Sequence, residues 1–140
     1  MKIAIAADHA GFELKEWLKI NTTNISFQDF GTHSVSSMDY PDITHPLCSA
    51  IENGEYVYGI LICGSGQGVA ITANKHQTIR AAVCWNEQIA ALCRQHNNAN
   101  VLCLPARFIT PEQAKKCVEI FLSTPFEGGR HAVRVNKISC

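Results

Sequence analysis

Five short runs of apolar, often β-branched residues alternate along this chain with longer segments whose apolar residues recur at helical spacing. The runs 3–7, 25–30, 59–63, 81–85 and 101–104 are predicted strands, and the segments 12–20, 43–53, 69–74, 87–96 and 111–122 are predicted helices. Several strands are almost unbroken in apolar character, as expected where a parallel sheet is covered on both faces. Phe12, Trp17 and Ile20 fall on related turns of the first helix, and Thr110-Pro111-Glu112 is a capped start with proline in the first helical position. The alternation requires right-handed crossovers. The expected fold is therefore α/β, a three-layer α/β/α sandwich around a Rossmann-like parallel sheet of about five strands. With 140 residues, no internal repeat and no Ser/Pro-rich linker, the span 1–140 reads as one domain, its tail from about 126 completing a site or a subunit contact.

Charge and cysteine usage exclude whole classes of partner. Twelve Lys and Arg balance twelve Asp and Glu, leaving no cationic excess for a nucleic acid or an anionic membrane surface. No stretch reaches the ~18 uninterrupted apolar residues of a membrane span, and Asp8 interrupts the N-terminal run before a secretory core could form. A soluble, cytoplasmic protein is expected. The seven cysteines are odd in number and no two lie closer than nine residues, which excludes Cys-x2-Cys zinc and redox pairs. Most are expected to be buried thiols in a reducing compartment.

Open parallel sheets bind ligands beyond the carboxyl ends of their strands. That rule selects Asp8-His9, Gly31-Thr32-His33, Cys63 to Gly68, Trp85-Asn86 and Pro105-Ala106-Arg107. The densest signal is Cys63-Gly64-Ser65-Gly66-Gln67-Gly68, where three glycines follow a buried strand and open a helix. Such a loop lets backbone N–H groups approach an anion, or simply makes a tight turn. A dinucleotide fingerprint would need its third glycine where Val69 stands, and a P-loop would need a Gly-Lys-Ser/Thr that is missing.

Cys63 ends its strand beside this loop, where a thiolate is favoured; taken alone, a cysteine after Ile-Leu-Ile reads as core. Asp8 is either a helix cap or, with His9, part of a polar site. His96, followed by Asn97, is a helix-end cation or a general acid/base. Arg130 and Arg134, four residues apart, would share a helix face and suit a phosphate, a solvated surface or an acidic partner patch; Arg107 is a third cation. Tyr40 precedes a helix and could line the cleft, whereas His33, His45 and His76 read as surface or loop residues.

Together these segments resemble the type B ribose-5-phosphate isomerase family, which also includes galactose- and allose-6-phosphate isomerases. The resemblance runs through Asp8-His9-Ala10-Gly11-Phe12, Asp39-Tyr40-Pro41, Ile62 to Gly68, Ala73-Asn74-Lys75, Arg94-Gln95-His96-Asn97 and Glu127-Gly128-Gly129-Arg130-His131, essentially the whole chain. It implies reversible conversion of ribose 5-phosphate to ribulose 5-phosphate without metal or organic cofactor, in a homodimer or homotetramer whose sites draw on two subunits. By that resemblance Cys63 is the base, assisted by Ser65; Gly64, Gly66, Gln67 and Gly68 hold the enediolate oxygen, with Gln67 marking the cysteine subgroup. His96 and Asp8 open the sugar ring, and His9, Asn97, Arg107, Arg130 and Arg134 bind the substrate and its phosphate. The alternatives are a hexose 6-phosphate isomerase, and a non-catalytic phosphate or nucleotide-binding module. A receiver-type domain fits poorly, because Asp8 has no acidic neighbour for a magnesium ion.

Overall fold

The computed structural model describes residues 1–139, so Cys140, one of the seven cysteines, lies outside the described residues. Five strands, β1 (Lys2–Ala7), β2 (Ser26–Asp29), β3 (Gly59–Cys63), β4 (Ala81–Val83) and β5 (Val101–Pro105), form one parallel sheet in the order β2-β1-β3-β5-β4. The helices are α1 (Phe12–Asn21), α2 (Pro41–Glu52), α3 (Gln67–Ala73), α4 (Glu87–Gln95), α5 (Pro111–Ser123) and α6 (Arg130–Val135). The predicted α/β sandwich is thus the observed architecture. Among the described residues no helix is long and apolar enough to cross a membrane.

Strand alternation divides the core into two layers. Ile60 and Ile62 of β3 face α1, α4 and α5, where Leu18, Cys93 and Phe121 are buried. Leu61 and Cys63 face α2 and α3, against Leu47, Cys48 and Val69. β3 therefore buries all five residues, which is why its sequence carries no polar alternation.

Where boundaries depart from the sequence reading, local chemistry explains them. α2 starts at Pro41 rather than 43 because proline occupies the first turn behind Tyr40, whose carbonyl accepts from the Thr44 hydroxyl at 2.9 Å. α3 starts at Gln67 rather than 69, directly after Gly66, whose φ of 75° lies in the left-handed region. β4 stops at Val83, two residues short, as a brief edge strand. A single 3₁₀ turn, Ala106–Phe108, follows β5 without a clear sequence signal.

Two polar clusters brace this frame. Lys15 of α1 is fully buried and donates to both carboxylate oxygens of Asp29 at 2.8 Å. Arg94 of α4, also buried, donates to the carbonyls of Thr124 and Ala99 and to the Tyr58 hydroxyl, so it is a structural residue.

Candidate active site

Sheet order places the site. β1 is followed by a helix on one face and β3 by a helix on the other, so their carboxyl ends part to leave a crevice. A cleft of about 430 Å³ opens there, lined by Asp8, His9, Tyr40, Cys63, Gly64, Ser65, Gly68 and Arg107 together with Ala10 and Phe108. A larger cavity of about 650 Å³ lies at the Asn74–Arg80 segment, and of the predicted site residues it holds Asn97 alone. We place the chemistry in the smaller cleft because a thiol, a glycine loop, the His9 imidazole and the Arg107 guanidinium converge on it.

Each wall has a local cause. Cys63 closes β3 with its side chain on the α3 face, 5% exposed yet lining the cleft. The Ser65 hydroxyl accepts the Gln67 N–H at 3.3 Å, which leaves its own proton free to donate. The amides of Ser65 and Gly68 find no acceptor among the described residues, so the loop offers N–H groups to an anion. Gly68 is required for fit: a Cβ there would come within 2.6 Å of the Tyr40 ring. Arg107 donates its backbone N–H to the Gly64 carbonyl at 3.0 Å, and its guanidinium lies against Gly64.

Asp8 shapes the turn before α1 rather than capping the helix, whose N-cap is Gly11, and it also lines the cleft. Its Oδ1 accepts the amides of Ala10 at 2.9 Å and Gly11 at 3.1 Å, fixing the turn into α1. His9 accepts the Met38 N–H on Nδ1 at 3.2 Å, which puts the proton of its neutral ring on Nε2.

Five predicted residues, His96, Asn97, Arg130, Arg134 and the Gln67 side chain, lie outside this cleft in the same chain. α4 leaves the carboxyl end of the sheet and delivers its C-cap His96 to the start of β5, about 14 Å away along nine residues of helix. Asn97 follows it, and the tail that carries Arg130 and Arg134 packs there too, since His131 stacks on His96. The Gln67 side chain lines a separate groove with Ile71, Asn74 and Lys75. Burial holds the His131 imidazole below the usual histidine range, and neighbouring His96, Arg130 and Arg134 push the same way against Glu127.

Sequence reasoning missed two arrangements. His45 and His76, read as surface or loop residues, join through ring nitrogens 2.8 Å apart, and His76 reaches Glu52 at 2.8 Å. His131 carried no signal beyond its place beside Arg130. Its donor atom, with those of His96 and Glu127, lies within a group spanning 4.8 Å. The two imidazoles are nearly parallel, however, and in-plane lone pairs on parallel rings have no shared point for an ion.

Comparison with known proteins adds the lineage. The family model described as Ribose/Galactose Isomerase matches residues 3–138. A probable ribose-5-phosphate isomerase B of Mycoplasma pneumoniae is 44% identical over 139 residues, covering 97% of this chain and 91% of that protein. The crystal structure of a ribose 5-phosphate isomerase from Thermotoga maritima superposes with a TM-score of 0.95 at 50% identity, covering 99% of this chain and 97% of that one. A ribose-5-phosphate isomerase B of Mycoplasma genitalium, solved with bound ribulose-5-phosphate, gives 0.90 at 42% identity, with coverage of 98% and 93%. Both the matched span and these identities hold across nearly the full length, and the chain belongs to the ribose/galactose isomerase family.

Proposed function

We propose that this protein interconverts ribose 5-phosphate and ribulose 5-phosphate through an enediolate, with Cys63 as the base. The observation that carries the reading is the Cys63 thiol on the floor of a cleft whose rim offers unpaired loop amides. Sγ removes the C2 proton, the electron pair forms the C1–C2 double bond, and O1 takes up the negative charge. Returning a proton to C1, with the O2 hydroxyl proton passing to O1, completes the exchange. Preorganised N–H donors at such an oxyanion contribute ~3 to 4 kcal/mol each. The phosphate, remote from C1 and C2, orients the sugar through cationic side chains. The relative solved with ribulose-5-phosphate supports this substrate class.

The site is complete only in a dimer on this reading. His96, Asn97, Arg130 and Arg134 sit at the amino end of the sheet and cannot face Cys63 of their own chain, so a second copy supplies them to the cleft. The activity belongs in the cytosol, consistent with six described cysteines that are all free thiols.

Purified protein is expected to form ribulose 5-phosphate from ribose 5-phosphate, with a larger kcat/KM than on allose or galactose 6-phosphate. Undetectable turnover on all three sugars removes the proposal; binding without turnover would leave a phosphate-binding module. Subunit sharing has its own test. Cys63→Ala homodimers, which lack the base, and His96→Ala homodimers, impaired on ribose 5-phosphate, are expected to recover about one quarter of wild-type ribose 5-phosphate turnover after equal mixing and subunit exchange, because a heterodimer keeps one intact site. No recovery after exchange would show that both residues act from one chain.

A further inference from the structure

One contact outside the Cys63 cleft is not explained by packing. His96 and His131 lie face to face, ring centroids 4.3 Å apart and planes 10° from parallel. His131 is 8% exposed, and its Nε2 is buried without a hydrogen-bond partner. Glu127 Oε1 stands 3.5 Å from that nitrogen and 3.9 Å from Nε2 of His96, in reach of both without a good hydrogen bond to either. A buried nitrogen with no partner forfeits the hydrogen bond it had with water. Phenylalanine or leucine would fill the same space without that loss, so the histidine answers to something else.

The surroundings hold the stack in place. Glu127 N–H donates to the Gln95 carbonyl at 3.1 Å, Arg94 Nε donates to the Thr124 carbonyl at 3.2 Å, and His131 N–H donates to the Gly128 carbonyl at 3.1 Å. These bonds pin the tail across the end of α4. The His96 side chain is 41% exposed, and His131 is the flat surface against which its ring rests.

Resting on the reading of His96 as a ring-opening group, we propose that His131 is a positioning residue for that step. Its ring fixes the plane of the His96 imidazole, and its polar edge keeps Glu127 beside both nitrogens. The groups facing His131 are His96 across the stack, Arg130 and Arg134 on its own helix, and Glu127 in the preceding loop. Burial and the three cationic or ionisable neighbours push the His131 imidazole below its ordinary range, with Glu127 opposing them. Two protonated rings at 4.3 Å would repel, so the stack favours an uncharged plate.

The two sugars separate this role from a general one. Ribose 5-phosphate is mostly closed through O4, whereas ribulose 5-phosphate cannot close through its esterified O5 and stays open. At enzyme concentrations high enough for uncatalysed ring opening to limit the reaction, turnover of ribose 5-phosphate by His131→Ala is expected to fall about tenfold or more below wild type. That rate should also stop rising in proportion to enzyme, because uncatalysed ring opening becomes limiting. Conversion of ribulose 5-phosphate by the same variant should keep scaling with enzyme at near the wild-type rate. His131→Phe, which keeps the plate and loses the polar edge, should recover part of the aldose rate. Equal losses in both directions, or none in either, overturn the proposal. His96→Ala measured alongside isolates its premise: an aldose-specific deficit there but not in His131→Ala defeats the role of His131 alone, and no such deficit in His96→Ala defeats the ring-opening reading itself. Should His131→Ala fail to fold, His131→Phe and His131→Asn support the same comparison.

Discussion

Cys63→Ala is expected to lower kcat at least about 10³-fold while leaving KM for ribose 5-phosphate within about twofold. The asymmetry follows from where the sulfur sits. It lies on the cleft floor at the end of β3, and His9 and Arg107, assigned to the phosphate, line other parts of the cleft. Removing Sγ takes away the acceptor for the C2 proton but none of the charge that holds the substrate. General-base catalysis alone accounts for about 10²- to 10⁴-fold, and the loss of a near-contact geometry adds to it. Steady-state kinetics on the variant, with circular dichroism to confirm the fold, checks the expectation. A variant with the wild-type rate would mean that another group takes the proton, and Asp8, buried in the same cleft, is next in line.

The largest loss of stability is expected from Asp29→Ala. Lys15 Nζ is wholly enclosed and meets both Asp29 oxygens at 2.8 Å, while Lys19 Nζ meets Oδ2 at 2.7 Å and the Gly31 amide donates to Oδ1 at 2.9 Å. Deleting the carboxylate strands a buried ammonium, which costs about 3–5 kcal/mol and lowers Tm by roughly 10 °C in a domain of this size. Desolvation works against the ionised carboxylate, yet hydrogen bonds from Lys15, Lys19 and Gly31 prevail and hold it below its ordinary value. A depressed folded pKa contributes stability that is present above the unfolded value, about 4, and lost as pH falls through the folded one. Denaturant titrations below about pH 4 should therefore show a weaker acid dependence in the variant. A loss under about 1 kcal/mol would mean that Lys15 reaches water once its partner is gone. Lys15 also donates to the Thr32 carbonyl, so the cluster holds the loop that carries Met38 and Tyr40 to the cleft.

How much of this was legible depended on whether the signal was local. β3 is read to the residue because both its faces are buried and its five residues are all apolar or glycine. β4 is overextended because its hydrophobic run outlasts the strand: Cys84 still donates its N–H to the Cys103 carbonyl at 3.0 Å and packs in the core, but Trp85 is 51% exposed. Asp8, His9, Cys63 and the glycine loop are legible because each follows a strand directly, and the carboxyl-edge rule then brings them together. The tail is different. Nothing local tells that Thr124 and Glu127 are stapled to α4, since those bonds depend on a buried arginine thirty residues earlier and on a helix-end carbonyl. Lys15 likewise reads as one more polar helix position, and only the approach of β2 makes it interior.

The bond from the Met38 amide to Nδ1 of His9 settles which edge of that ring meets a guest molecule. With Nδ1 occupied as an acceptor, the outward nitrogen bears hydrogen in the uncharged imidazole just as in the imidazolium. An oxyanion arriving in the cleft would therefore meet a hydrogen-bond donor at that edge of the ring without the ring having to carry a charge.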